Sequence, residues 1–552
     1  MRSELEKVIF ETSKTLFGVE VAVQLTRPDE QFGDYATNVA LQLAGQLGKS
    51  PQAIADQLAG KLRDVLGQQV SEINVVSPGF LNLRLNDQSL FAAAHNLAHH
   101  QIYTGQTVVI ETNNPNPFKD VHIGHAFNSV VADTLANLLE AGGAATHRVS
   151  YHGDVGLNVG KSMWAILKFL DGDATKLDAL NEAERPKFLS ERYAEGTTAY
   201  EQNDLAKQDI VRYAKESFAP TDPLFKQVYE TCKTWSFSYI DQVLKLINCQ
   251  PVERRYLESA ADQAGRQIVE KHLGDIFEKS DGAIIFPGEK YGLHTRVFIS
   301  SRDTTLYESR DLGLIQLKQQ DFNPQASYIV TAVEQKEYFQ VVLKAAELAF
   351  PELAGVTHNI PTGTVKLATG KMSSRQGTAI NIGWLFETVE AALKERGAEA
   401  AGLHDGMVGA LRYALLKNRI GSDVVFDVNE AISLEGNSGP YLQYAHVRAR
   451  SIIKKSSQKA AEHVAQLEPA ERSLLAKLAE YPEVMERSVS ELMPHLICNY
   501  LYELAQIFNN FYEHNRVIGS SREAERLLLV SNYADVLEEG LNLLGIPAPK
   551  QM

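Results

Sequence analysis

Cysteine is scarce in this chain. Its 552 residues contain only Cys232, Cys249 and Cys498, too few and too scattered for a disulfide framework or a zinc site, so they read as reduced thiols. No apolar run approaches the length needed to cross a membrane. Positive charge is also in deficit: the net charge of -15 argues against a broad, unspecific nucleic-acid binder, although an acidic protein can carry local basic surfaces. The N-terminal stretch MRSELEKVIFETSKTLFG carries charges where a signal peptide would be apolar, and it reads as an amphipathic helix of a cytoplasmic protein. Internal repeats and low-complexity segments are absent. With 44% hydrophobic and 22% charged residues the composition is that of a globular chain, and its length suggests about three or four domains.

What is present divides into three stretches. Residues 1–104 read as an α+β unit in which helices alternate with short strands. A first helix leads to Val19–Leu25, FGDYATNVALQLAGQLG reads as a second helix, and Ser50-Pro51 starts the next with a cap and a proline. Leu81, Leu83 and Leu85 alternate with Asn82 and Arg84, the period of a half-exposed strand. Residues 105–404 alternate strands and helices, which predicts a doubly wound α/β domain around a parallel sheet, with a polar helical insertion at about 160–280. Ala283–Phe286 and Val297–Ser300 are expected to resume that sheet. From 405 to 552 strands are expected to disappear in favour of an all-α bundle.

The chemistry centres on VVIETNNPNPFKDVHIGH. Val108, Val109 and Ile110 suit a buried parallel strand that ends at Glu111, where an Asn- and Pro-rich turn begins. His122-Ile123-Gly124-His125 opens a helix patterned by Ala126, Val130, Leu135, Leu138 and Leu139. Two imidazoles therefore stand where a helix gathers anions, and Gly124 lets backbone or a flat ring approach. Ligands of such sheets bind beyond the carboxyl ends of the strands, where Glu111–His125 lie.

Further landmarks follow. A helix beginning near Leu306 carries Tyr307 and Asp311 on one face, a pattern that a surface pair would also give. SYIVTAVEQ reads as a buried strand with Gln335 at its carboxyl end. GKMSSRQGTAINI, residues 370–382, combines Lys371 and Arg375 with Ser373, Ser374 and flanking glycines; it suits a polyphosphate clasp or a solvated basic loop. Ser438-Gly439-Pro440 starts a helix on which Tyr441 and Tyr444 precede Arg448, Arg450, Lys454 and Lys455, residues that could stack on bases and hold phosphates or simply face solvent. Tyr500, Tyr502, Phe508, Phe511 and Tyr512 give a similar mixture, at a spacing that also suits a core.

HIGH on the first strand-to-helix turn and KMSSR after the sheet together resemble the paired signatures of class I aminoacyl-tRNA synthetases. The resemblance is to the arginyl-tRNA synthetases along nearly the whole chain: FGDYATNVALQLA with SPGFLNLRL resembles their N-terminal additional domain, NSGPYLQYAHVRARSII the start of their anticodon-binding domain, and LLGIPAPKQM their C-terminal ending. The chain is therefore expected to be complete at both ends, with a Rossmann-like catalytic domain.

The resemblance implies residue roles. Glu111, Asn114, Asn116, Tyr307, Asp311 and Gln335 would bind arginine, with Glu111 and Asp311 supplying negative charge to the guanidinium. ATP would lie over Gly124, held by His122, His125, Lys371, Met372, Ser373 and Ser374, with Mg2+ carried on its phosphates and no resident metal or tightly held cofactor. His122, His125 and Lys371 would stabilise charge as the arginine carboxylate attacks the α-phosphate. The arginyl group would then pass to the 2′-hydroxyl of the terminal adenosine, and activation would require the tRNA. Ser374 stands where the family's loop often has a second lysine, and Lys119 is the expected substitute. GDVGLNVG departs from the family's Asp-Trp-Gly-x-Gln pattern at Val155 and Asn158, which leaves Asp154 without a role. Tyr441, Arg448, Arg450 and Lys454 would contact the tRNA, and a monomer is expected. The alternatives are a class I synthetase for another amino acid, a nucleotidyltransferase sharing His-x-Gly-His, and a non-catalytic tRNA-binding paralogue.

Overall fold

A computed structural model describes residues 1–95, 101–368, 381–397, 399–464 and 466–550. The chain forms two compact units, one of Met1–His100, Ala445–Glu486 and Tyr500–Glu539, the other of Gln101–Tyr444, Arg487–Asn499 and Gly540–Met552.

In the first unit a three-stranded antiparallel sheet, Tyr35–Thr37, Phe80–Leu85 and Val70–Val76, packs with helices Arg2–Phe17, Val39–Leu47 and Pro51–Leu66. The segment expected to be one helix from Phe32 is divided: Tyr35, Ala36 and Thr37 pair with Leu83, Asn82 and Leu81 and are all buried, so sheet pairing overrides local helix propensity until Val39. Val19–Leu25 forms no strand; the only pairing nearby is the Thr26–Ala36 bridge. C-terminal helices belong to this unit through charge pairs. Arg472 lies 2.7 Å from Asp34 and 3.0 Å from Asp87, and Arg27 lies 2.7 Å from Glu483. Tyr500, Phe508 and Phe511 are core residues here.

The second unit is built on a five-stranded parallel sheet. In chain order its strands are β1 (Thr107–Asn113), β2 (Ala145–His152), β3 (Arg254–Leu257), β4 (Ala326–Ala332) and β5 (Thr357–Thr362), and their spatial order is 5-4-1-2-3. Strand order therefore reverses between β1 and β4, the place where an open parallel sheet leaves a crevice beyond its strand ends. Val108, Val109 and Ile110 are fully buried in β1. The strand continues past Glu111 to Asn113 through a bulge opposite Val149 and Ser150.

Several expectations about this region are corrected. The helical insertion comprises Leu157–Leu170, Arg185–Gln202, Asp204–Glu216 and Pro223–Leu246, but it ends before β3, which joins the sheet edge. That strand is four residues long and begins with two arginines, so it has no apolar run to reveal it. Ala283–Phe286 does not resume the parallel sheet. With Glu278–Ser280 and Arg296–Ile299 it makes a separate antiparallel sheet, because Asp281 and Gly282 both take positive φ and turn the chain straight back. Beyond 405, Val424–Phe426 is a strand, paired in parallel with Val365–Leu367, and residue 405 itself falls within helix Ala400–Leu416.

Four helices position the cavity: α1 (Ile123–Ala141), α2 (Glu258–Lys271), α3 (Tyr307–Phe322) and α4 (Lys336–Ala349). Helices α2 and α3 meet at paired glycines. A Cβ on Gly265 would stand 1.8 Å from the Ser309 carbonyl oxygen, and one on Gly313 would stand 2.2 Å from that of Ala261. On α1, Asp133 receives the fully buried Arg412 at 2.8 Å, and the same guanidinium donates to the carbonyls of Ile247 and Leu544.

Candidate active site

The amino end of α1 is closed by its own histidines. His122, in an extended conformation, accepts at Nδ1 from the backbone N–H of Gly124 at 3.1 Å and of His125 at 3.4 Å, while His125 Nδ1 accepts from the His122 N–H at 3.4 Å. This is a reciprocal capping box in which both acceptors are ring nitrogens. Because each Nδ1 accepts, each neutral ring carries its proton on Nε2. The rings stack with centroids 3.6 Å apart. Burial lowers His122 to about 4, with Lys119 adding to the effect, and burial followed by the charge of His122 lowers His125 further. Both are neutral donors at pH 7. A Cβ at Gly124 would stand 3.1 Å from the His122 ring, so the surface over this turn stays flat only for glycine.

Lys119 precedes this turn. Burial lowers its amine, Glu258 opposes that shift, and no described residue pairs with it.

Beside the histidines lies a cavity of about 1320 Å³, room for more than one small ligand. Its lining includes Glu111, Asn114, Asn116, His122, Gly124, His125, Tyr307, Asp311 and Gln335. Nine residues named from the sequence thus meet around one space. Lys371, Met372, Ser373 and Ser374 lie outside the described residues.

The expected charge pattern needs correction. Glu111 is not an open carboxylate: its Oε1 lies 2.6 Å from Lys318 Nζ, and its Oε2 accepts from Asn114 Nδ2 at 2.9 Å. Asn114 in turn accepts from the Tyr151 N–H at 3.0 Å, and Asn116 Oδ1 from the Gly153 N–H at 2.9 Å, so both asparagines brace the end of β2. Tyr307 opens α3 and is exposed, whereas Asp311, one turn later, is partly buried and takes a hydrogen bond from the Tyr338 hydroxyl on α4. Desolvation pushes the Asp311 carboxyl up to about 8 despite that bond. Gln335 ends the short turn Val333–Gln335 that leads from β4 into α4.

Sequence reasoning missed Tyr151, Glu258, Lys318 and Tyr338. Lys318 stands seven residues after Asp311 on α3, two helical turns along, a spacing that could have revealed it. Tyr338 and Glu258 lie in helices with no local chemical signature. Asp154 gains a structural role: it accepts from the Ser259 N–H at 3.0 Å, from its hydroxyl at 2.8 Å and from the Tyr229 hydroxyl at 3.1 Å, which fastens the start of α2.

The residues expected to touch nucleic acid lie on helix Gly439–Lys455. Arg450 is 2.9 Å from Asp535 and also pairs with Glu538, while Arg448 donates to Asn509 at 3.0 Å. Lys454 is exposed and Tyr441 half-buried. Among the described residues no group of three or more His, Cys, Asp or Glu side chains could hold a metal ion, and no helix is long and apolar enough to cross a membrane.

Residues 88–405 match the family described as tRNA synthetases class I (R), catalytic domain. Residues 1–85 match the arginyl tRNA synthetase N terminal domain, and residues 442–552 the DALR anticodon binding domain. An arginine–tRNA ligase of Phocaeicola vulgatus is 27% identical over all of both chains, and one of Frankia casuarinae is 29% identical over 96% of this chain and 94% of its own. The fold is similar to that of Thermus thermophilus arginyl-tRNA synthetase, with a TM-score of 0.83 at 24% identity over all of both chains. It is also similar to that of the Plasmodium falciparum enzyme, with a TM-score of 0.80 at 19% identity over 100% of this chain and 99% of the other. With the catalytic-domain match alone spanning more than half of its length, the chain belongs to the class I tRNA synthetases, in their arginyl branch.

Proposed function

We propose that the cavity holds L-arginine and ATP side by side and attaches arginine to its tRNA in two steps. Arginine lies between α3 and the end of β1, in reach of Glu111, Asn114, Asn116, Tyr307, Asp311 and Gln335. ATP lies over Gly124, with the Nε2–H groups of His122 and His125 donating to its phosphates, Lys119 adding the cation and the Lys371–Ser374 segment completing the site. The arginine carboxylate attacks the α-phosphate, forming arginyl-adenylate as pyrophosphate leaves with the Mg2+ that ATP brought. The 2′-hydroxyl of the tRNA's terminal adenosine then attacks the arginyl carbonyl, and AMP leaves. Little acid or base catalysis is needed; positioning and charge stabilisation carry both steps.

The observation that carries this reading is that Tyr307 and Asp311 face the same cavity as the capped histidine turn, at the switch point of the parallel sheet. Residues 1–104 and 405–552 serve the tRNA, with Tyr441, Arg448, Arg450 and Lys454 on its side of the helical domain, and the protein acts as a cytoplasmic monomer.

Aminoacylation of total tRNA with each amino acid in turn tests the reading. Charging by arginine alone is expected, and charging by any other amino acid in its place would overturn it. Pyrophosphate exchange with arginine should need the tRNA.

A further inference from the structure

Four carboxylates line the cavity; Glu334 is exposed, and of the three that are buried or partly buried two are already matched. Glu111 is paired with Lys318 at 2.6 Å and Glu258 with Arg310 at 2.7 Å. Asp311 is the one that no cation pairs among the described residues, and it lines the cavity. A guanidinium entering there carries five N–H donors. One carboxylate cannot satisfy them, so uncharged acceptors are required.

Tyr151 supplies such an acceptor. It stands near the carboxyl end of β2, held by its backbone N–H on Asn114, and it lines the same cavity. The residue is only partly buried, yet its hydroxyl oxygen is buried and has no hydrogen-bond partner among the described residues. Burial raises its pKa well above the ordinary tyrosine value; Asp311, Glu258 and Glu111 raise it further and Arg310 opposes them, which locates the hydroxyl among these groups. A buried hydroxyl without a partner is destabilising, and a ligand that supplies the partner removes that cost on binding.

We propose that the Tyr151 hydroxyl is a further specificity-determining contact, which accepts a hydrogen bond from the guanidinium of bound arginine while its own proton turns towards the neighbouring carboxylates. The proposal rests on the reading of the cavity as an arginine site. It distinguishes arginine from amino acids whose side chains end short of β2 or offer fewer donors.

The test is Tyr151→Phe in the full-length protein, assayed by tRNA aminoacylation beside the wild type. A hydrogen bond to a charged ligand corresponds to about tenfold to hundredfold in affinity, so the arginine KM should rise by that factor while the ATP KM stays within about twofold. Because the hydroxyl has no partner among the described residues, the melting temperature of the free variant should stay equal or rise, which a structural hydroxyl would not allow. An unchanged arginine KM, an equal rise in both KM values, or a variant that unfolds would each overturn the proposal. Wild-type protein that fails to charge arginine would instead remove the underlying reading, and the proposal with it.

Discussion

Lys318 Nζ lies 2.6 Å from Glu111 Oε1 with both side chains 1% exposed, so the last charged residue of β1 is neutralised from α3 before any substrate arrives. Substitution of one partner leaves the other charge buried and unpaired. Lys318→Met should therefore destabilise the protein by about 3–5 kcal/mol, and Lys318→Met combined with Glu111→Gln should recover part of that loss. Thermal and chemical unfolding of the single and double variants measures both. Equal destabilisation of the double variant and the sum of the singles would mean that the pair is not coupled.

Asp311 is the group whose charge depends on pH. Burial pushes it up to about 8, with Glu111 and Glu258 adding to the shift and Tyr338 and Lys318 opposing it. In the unfolded chain the acid titrates near ~4, so the folded state binds the extra proton between those values. The stability it contributes is fully present below pH ~4 and is lost as the pH rises through about 8. Arginine needs the carboxylate, so its KM should fall about tenfold per pH unit as the pH approaches 8 and then level off. His122, lowered to about 4, does not titrate in that window. Asp311→Asn should raise the arginine KM and flatten the profile; a slope that survives in this variant belongs to another group.

Lys119 is the described cation beside the histidine turn that has no ion-pair partner among the described residues, and burial lowers its pKa. Removal of a preorganised donor from developing phosphate charge costs about 100-fold in rate. Lys119→Ala should slow tRNA-dependent pyrophosphate exchange by that order and leave the arginine KM within about twofold. Exchange at the wild-type rate would exclude the role.

Close helix contact at Gly313 sets where Tyr307 and Asp311 stand. In Gly313→Ala the new methyl would meet the Ala261 carbonyl at 2.2 Å and the Gly265 nitrogen at 2.6 Å, and both are backbone atoms that cannot turn aside. Helix α3 must retreat from α2. We expect a loss of about 1–3 kcal/mol in stability and a rise in arginine KM of at least about tenfold, because displacement of the order of 1 Å disrupts a bidentate site. Unaltered kinetics in this variant would show that α3 is positioned from its other side.

Legibility in the sequence followed the range of the interactions. The histidine turn was visible because its components, a β-branched strand, a Pro- and Asn-rich stop and a helix start, lie within about one supersecondary unit. Tyr307 and Asp311 were visible as one helical face. Strand β3 was hidden because an edge strand of four residues led by Arg254 and Arg255 shows neither an apolar run nor alternation. The antiparallel sheet around Ala283–Phe286 is not distinguishable in the sequence for a related reason: a short apolar strand looks alike in either sheet, and only its partner decides.

By itself the sequence determined the chemical inventory of this protein: the strand, turn and helix that open the parallel sheet, the imidazoles at a helix start, and the carboxylates and amides within reach of them. Tertiary structure decided which of those charges remain available. Glu111 meets a lysine 207 residues away, Glu258 an arginine 52 residues away, and the Tyr151 hydroxyl meets no hydrogen-bond partner among the described residues. Desolvation and pairing depend on neighbours brought together by the sheet order and the α2–α3 contact, and no local pattern of residues contains that information.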